Sequence, residues 1–208
     1  LIQQCILQVL EPICEAKFYK HSYGFRPLRS TKHAISRAYH LSQQNNLHYV
    51  VDVDIKGFFD NINHGKLLKQ LWTVGIRDKS LIAVISKMLK AQIENIGIPE
   101  KGTPQGGILS PLLANIVLNE FDWWIASQFE EIKTKVNYKP SIRNGKEYND
   151  NKIRALKNKT KLKEVFIVRY ADAFKLFCRN HQDAMKLFED SKQWLQNRFH
   201  LTVSKEKS

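Results

Sequence analysis

The run Tyr49-Val50-Val51-Asp52-Val53-Asp54-Ile55-Lys56-Gly57-Phe58-Phe59-Asp60 sets the frame for the whole chain. Its first half alternates β-branched valines with aspartates, a strand composition of period two. A carboxylate is costly to bury unless it is paired or holds a metal. Two readings fit the segment. It is an edge strand whose aspartates face solvent, or a strand end that presents a carboxylate to a divalent cation such as Mg²⁺.

A second stretch bears on that choice. Val165 to Tyr170 is another β-rich apolar run, followed by Ala171-Asp172-Ala173 and then by the apolar Phe174 to Cys178. The pattern predicts a hairpin whose tip carries Asp172. Two strands that each deliver an aspartate near an end can meet side by side and share divalent cations. Between them lies Gly102-Thr103-Pro104-Gln105-Gly106-Gly107-Ile108-Leu109-Ser110-Pro111, a Gly- and Pro-rich loop before a long helical pattern.

The rest of the chain reads mostly as helix. Leu1 to Tyr19 places Ile2, Ile6, Val9 and Ile13 at helical spacing, with Pro12 as a kink. His21 to Arg29 is a loop in which Tyr23 and Phe25 alternate with Arg26 and Arg29. Such a mixture suits stacking on bases and pairing with phosphates, and core packing of the two aromatics fits equally well. Ser30 or Thr31 caps a helix with Ala34, Ile35, Ala38 and Leu41 on one face, ended by Asn45-Asn46. Asn61 and Asn63 open a helix to about Trp72, and Asp78 caps another with Leu81, Ile82, Ile85 and Leu89 as its buried stripe. Ile93 to Pro99 suggests a short strand. Ser110-Pro111 starts a nearly all-apolar, buried helix, His181 to Phe199 is amphipathic, and Leu201 to Val203 begins a further strand. Helices alternating irregularly with few strands predict an α+β fold.

Composition narrows the class. With 208 residues, 43% hydrophobic and 25% charged, the chain can bury a sizeable core as one domain or two subdomains. No apolar run reaches a membrane span and no signal peptide is legible. Cys5, Cys14 and Cys178 lack metal-ligand spacing and read as free thiols in a reducing compartment. The chain opens on Leu1, which reads as a fragment. The net charge of +13 points to a polyanion such as nucleic acid. It is concentrated from Lys133 to Lys163, where eleven Lys or Arg face only Glu147 and Asp150. That run reads as a solvated, mobile loop with a flexible tip at Gly145 and Asn149 to Asn151, a character compatible with RNA binding through Lys157, Lys159, Lys161 and Lys163.

Four blocks in series carry a resemblance: Ser22-Tyr23-Gly24-Phe25-Arg26-Pro27, Asp54 to Asp60, Gly102 to Pro111, and Arg169-Tyr170-Ala171-Asp172. Together they resemble the reverse transcriptase-maturases encoded by group II introns. The resemblance implies an α+β reverse transcriptase palm, a small antiparallel sheet with packed helices, beside mostly helical fingers. Residues 1–48 would be partial fingers. Residues 49–208 would be palm, with finger helices at about 61–100 and the basic insert at 133–163. Upstream fingers, thumb and maturase region would lie outside the chain.

The resemblance also implies RNA-directed DNA polymerase activity by two-metal nucleotidyl transfer, with Mg²⁺ or Mn²⁺ as cofactor. Asp54, Asp172 and the Ile55 carbonyl would be the metal ligands. Phe59 would crowd the sugar 2′ position, and Gln105, Gly106 and Gly107 would lie against the incoming nucleotide. Arg26 and Arg29 would face template or nucleotide, while Asp52 and Asp60 would be structural, pairing with nearby bases. Implied partners are group II intron RNA, an RNA template with a DNA primer, and dNTPs, in a bacterial cytoplasm or an organelle. No membrane partner is implied, and nothing in the sequence argues for a homodimer. Ala173 departs from the family pattern, which has a second aspartate there, and this implies impaired polymerisation. An RNA-binding splicing maturase without polymerase activity is the alternative reading. A retron-like or diversity-generating reverse transcriptase is a third, opposed by the intron-type loop Gln105-Gly106 with Ser110-Pro111.

Overall fold

The computed structural model describes residues 1–92, 97–104 and 106–204. In chain order these form α1 (Ile2–Glu15), α2 (Thr31–Tyr39), β1 (Tyr49–Asp54), α3 (His64–Val74), α4 (Lys79–Leu89) and α5 (Ser110–Gln128). There follow β2 (Ser141–Arg143), β3 (Lys146–Tyr148), α6 (Asp150–Lys159), β4 (Val165–Tyr170), β5 (Ala173–Cys178) and α7 (His181–Phe199). The fold is α+β, a small antiparallel sheet with packed helices, as the sequence predicts.

Local chemistry sets several helix boundaries. Asn63 caps α3 by accepting the Lys66 amide at 2.9 Å, and Gly75 ends it in the left-handed region at φ 118°. Asp78 caps α4 through the amides of Ser80 and Leu81, and Asn180 caps α7 through that of Asp183. Ser30 stands at the start of α2 but makes no capping bond. Pro111 sits in the first turn of α5, where a missing amide hydrogen costs nothing. Residues on every side of α5 are buried, from Leu112 to Ala126, which makes it the central helix.

The main sheet runs β1-β5-β4, all antiparallel. Its register sets Asp54 opposite Ala173, Asp52 opposite Lys175, and Tyr170 opposite Ala173. Side chains alternate between faces, so Val53, Phe174 and Arg169 share the face that α5 covers. There Phe174 packs on Phe121 with ring centroids 4.9 Å apart, and Trp194 of α7 completes the cluster at 5.3 Å from Phe121. Both sheet edges are clipped near the Asp54 end. On β1, Lys56 donates to Thr202 at 2.9 Å and Ser204 to Asp54 at 2.8 Å. Along β4, Tyr23 donates to the Arg169 carbonyl at 2.9 Å and Arg169 to the His21 carbonyl at 3.1 Å. The strand predicted at Leu201 to Val203 is therefore a single bridge from Val203 to Ile55. Of the stretch from Ile93 to Pro99, residues 93–96 lie outside the described residues.

Three sequence readings are corrected. The buried stripe of α1 is Ile6, Leu10 and Cys14, whereas Ile2, Val9 and Ile13 face outward. In α2, Ile35 is likewise exposed, while Ala34 and Leu41 are buried. The basic insert is ordered: β2 and β3 form a hairpin through Asn144 and Gly145, at φ 51° and 71°, and α6 follows. Both turn residues need positive φ, the signature of the Asn-Gly two-residue turn. The thiols of Cys14 and Cys178 are both pushed up to about 12 by burial, as expected of inert, free cysteines.

Two buried polar networks brace the sheet. Arg169 and Asp122 form a bidentate pair at 2.8–3.0 Å, both nearly inaccessible to solvent. The same guanidinium donates to Asn115 at 2.9 Å and to the Ala171 carbonyl at 2.7 Å. Glu130 gathers the Tyr19 hydroxyl at 2.6 Å, Lys20 at 3.0 Å, and His21 and Arg37 at 3.5 Å each.

Candidate active site

Asp54 ends β1 and Asp172 is the second residue of the two-residue turn joining β4 to β5. The turn requires a sharp reversal, taken by Ala171 at φ 56°, a conformation a non-glycine residue holds only when its surroundings impose it. Those surroundings are visible. Arg169 holds the Ala171 carbonyl from inside, and the Gly24 backbone presses on the turn from outside. A Cβ at Gly24 would stand 2.2 Å from the Ala171 nitrogen, so only glycine permits the approach. Asn115 completes the clamp by donating to the Gly24 carbonyl at 2.9 Å while accepting from Arg169. Neither the sequence blocks nor their spacing had singled out Asn115, Asp122 or Gly24 for this task.

Asp54, Ile55, Phe59, Gly106, Gly107 and Asp172 all line one open cavity of about 990 Å³. The remaining wall comes from Lys56 to Asp60, from Pro104, Ser110 and Pro111, and from Thr202 to Ser204. Asp54 and Asp172 are each half-buried. Ala173 lies directly across the strand pair from Asp54, so a methyl stands where the resemblance implies a further carboxylate. Asp52, on the same face two residues back, is paired with Lys175 at 2.5 Å, and Asp60 lines the cavity rim.

Two opposing walls are bonded into one unit. Thr103 donates to the Phe59 carbonyl at 2.8 Å and Gly102 to the Ile62 carbonyl at 2.7 Å, while the His64 ring meets the Gly102 carbonyl at 2.6 Å. The glycine loop then folds on itself, with the Ser110 hydroxyl donating to the Pro104 carbonyl at 2.7 Å. The Phe59 ring is held edge-on by Phe58 at 5.4 Å and Phe25 at 6.3 Å. Gln105, predicted to face the nucleotide, lies outside the described residues.

The basic candidates divide. Arg26 is a correction: its guanidinium is buried, bidentate to Glu15 at 2.8–3.0 Å, bonded to the Tyr19 and Ser22 carbonyls and set over the Phe18 ring. Each guanidinium nitrogen is engaged within the fold, so the side chain acts as a structural tie rather than facing a template. Arg29 is half-buried, donates to the Lys20 carbonyl at 2.5 Å and lies over Tyr23. In the insert, Lys157 pairs with Glu164 at 2.6 Å and Lys163 pairs with Asp183. Lys159 and Lys161 are exposed.

Among the described residues, no group of three or more His, Cys, Asp or Glu is placed to hold a metal ion. Two carboxylates at one cavity are a hard oxygen donor set, which suits Mg²⁺ bound through one or two carboxylates with substrate phosphates completing its shell. Among the described residues, no helix is long and apolar enough to cross a membrane.

The chain is 32% identical over its whole length to the Group II intron-encoded protein LtrA of Lactococcus lactis subsp. cremoris, of which the alignment covers 40%. It is 36% identical to Protein YkfC of Escherichia coli over 62% of the chain and 35% of that protein. The chain thus spans well under half the length of these relatives. Among solved structures, apo telomerase from Candida tropicalis matches 99% of the chain and 36% of its own length with a TM-score of 0.62. At 13% identity that likeness concerns the fold alone. The family model described as "Reverse transcriptase (RNA-dependent DNA polymerase)" matches residues 1–208, and the chain belongs to that family.

Proposed function

We propose that the chain is the palm, with adjoining finger helices, of a group II intron reverse transcriptase-maturase that copies RNA into DNA by nucleotidyl transfer and also binds intron RNA for splicing. In this reading residues 1–48 and the helices between 61 and 100 belong to the fingers, and the rest of 49–208 to the palm with its insert. The observation that carries it is the convergence of Asp54, Asp172, Phe59, Gly106 and Gly107, drawn from separate blocks, on one cavity. Its partners would be intron RNA, an RNA template with a DNA primer, and dNTPs, in a bacterial cytoplasm or an organelle.

Asp54 and Asp172, with the Ile55 carbonyl, would hold Mg²⁺, or Mn²⁺ in its place. The ion supplies Lewis acidity for a primer 3′-hydroxyl and charge neutralisation for the leaving pyrophosphate. The chain's own residues do the placing. Asp172 is fixed by the clamped turn, so its carboxylate is presented without reorganisation. Phe59, braced by two neighbouring rings, sets a wall that favours a sugar without a 2′-hydroxyl. The glycine loop, bonded to the same wall, leaves backbone rather than side chain against the nucleotide. Ala173 leaves a methyl where a further carboxylate would help hold the metal, in a set that is already small, so synthesis would be weak. That same residue favours, as second reading, a splicing maturase that binds RNA and does not polymerise.

Primer extension on an RNA template, in the full-length protein with Mg²⁺, separates the two. Ala173→Asp is expected to raise DNA synthesis by several powers of ten, the scale of single active-site losses elsewhere. Equal activity in both forms would show that position 173 is not a ligand. Absence of synthesis in both, with intron RNA still bound, would leave the maturase reading.

A further inference from the structure

A second groove, of about 520 Å³, lies between α3, α5 and the end of α7. It is separate from the catalytic cavity. Pro111 of α5 lines the cavity, and Ile116 to Trp123 of the same helix line the groove, so the two are offset by roughly 8–18 Å at 1.5 Å per residue. Its floor is apolar, with Ile116 and Phe199. Its side is the indole of Trp123, 43% exposed although it stands on the most buried helix of the fold. That ring is fixed in place. Its N–H donates to the Lys17 carbonyl at 3.1 Å and it meets Tyr19 in a T-shaped contact with centroids 5.6 Å apart, while much of the indole stays exposed.

The rim is cationic. Lys66, Lys69 and Arg198 surround the groove, and Glu120 is its sole lining carboxylate among the described residues. Glu120 is already taken by Arg198 at 2.6 Å and by Gln70 at 3.0 Å. The Lys66 amine reaches back to the Arg198 carbonyl, and burial together with the nearby Arg198 charge lowers its pKa. Lys69 points from the same face of α3 and is exposed. A held, partly exposed indole beside an apolar floor, ringed by cations in excess of carboxylates, matches a ligand that is both planar and anionic.

We infer that this groove binds one unpaired nucleotide of a single-stranded RNA, its base stacked on Trp123 and its phosphates on Lys66 and Lys69. The aromatic-plus-phosphate chemistry stands on the groove alone; the choice of RNA over DNA rests on the reading of the chain as an intron-RNA protein.

The test uses the full-length protein, EDTA and a 20-nucleotide unstructured RNA, with a fully paired RNA duplex for comparison. Trp123→Leu is expected to weaken single-strand binding at least about fivefold, the low end for losing one stacked base. Lys66→Gln/Lys69→Gln is expected to reduce the salt slope of single-strand binding by about 0.7–1.4, one to two phosphate contacts. Binding of the duplex, which offers no unpaired base, should change less than twofold. Lys69→Gln alone, at an exposed position, gives the same slope test should Trp123→Leu fail to fold. Unchanged affinity and slope would overturn the proposal. Equal loss for duplex and single strand would overturn it too, since the groove would then be generic charge. Primer extension measured on the same groove variants separates the two readings: synthesis lost with single-strand binding intact concerns the polymerase reading, and single-strand binding unchanged in the groove variants concerns this one.

Discussion

Replacing Gly24 with alanine should destabilise the protein by about 1–3 kcal/mol, the usual cost of forcing a methyl into filled space. An added Cβ would stand 2.2 Å from the Ala171 nitrogen and 2.9 Å from its Cα. Such atoms settle at roughly 3.5 Å or more, so the two backbones must part by over about 1 Å. Neither side is free to move. Asn115 holds the Gly24 carbonyl, and Tyr23 donates to the Arg169 carbonyl at 2.9 Å. Gly24 itself has no left-handed φ, so the effect is steric and carries no backbone-strain component. At this chain length each kcal/mol shifts the midpoint by about 2–4 °C, so the melt should fall by about 2–12 °C. Gly65→Ala is the control. It lies in α3, its nearest neighbour would be Asn63 Oδ1 at an ordinary 3.4 Å, and it should gain about 0.5–1 kcal/mol. Thermal melts of both variants, with hydrogen exchange across the β4–β5 turn, measure this. A Gly24→Ala protein that melts like wild type would refute the clamp on Asp172.

Arg169→Gln leaves Asp122 buried without its cation and should cost about 3–5 kcal/mol in urea unfolding, part of which Asp122→Asn should recover in the double variant. Independent, additive losses would mean the pair is not coupled. For Glu130, burial alone would raise the carboxyl, but His21, Lys20 and Arg37 outweigh it and hold it well below the ordinary 4.5. Its folded value lies below the unfolded one, so its stabilisation is present above about pH 4.5 and is lost as the pH falls further. His21 is kept below its ordinary 6.5 by burial, so the unfolded chain protonates first and stability starts to decline there. Glu130→Gln should be about 1–3 kcal/mol less stable at pH 7 and show a flatter decline below pH 4.5; parallel urea-midpoint curves would exclude this. In the insert, Lys159→Gln/Lys161→Gln should lower the salt slope of RNA binding by about 0.7 per contact while melts barely shift, and an unchanged slope would mean these lysines are merely solvated.

Much of this architecture was legible because the chemistry is local. Asn63, Asp78 and Asn180 announce helix starts through their own side chains, and the Asp172 turn follows from two apolar runs either side of it. What depended on distant residues was not legible. Arg26 among aromatics reads as a ligand-facing arginine, and only the folding of the loop back on the end of α1 brings it to Glu15. Glu130 meets Tyr19, Lys20 and His21 across more than a hundred residues of chain. The helical spacing of Ile2, Val9 and Ile13 was real, but so was that of Ile6, Leu10 and Cys14, and tertiary packing chose between them. One miss was avoidable: Asn144-Gly145 between short polar strands is a strong hairpin signal, and the surrounding charge masked it.

The clips on the two sheet edges have a dynamic consequence. A three-stranded sheet normally frays from whichever end is least held, and here one end is tied on both flanks by segments that are not strands. Those segments, His21 to Tyr23 and Thr202 to Ser204, reach the sheet from opposite extremes of the chain. Opening should therefore start at the far end, around Tyr49, Val165 and Cys178, and run toward Asp54 last. Amide exchange would register this as a gradient along each strand, slowest beside the two aspartates. The cavity would then keep its shape through excursions that loosen half the sheet.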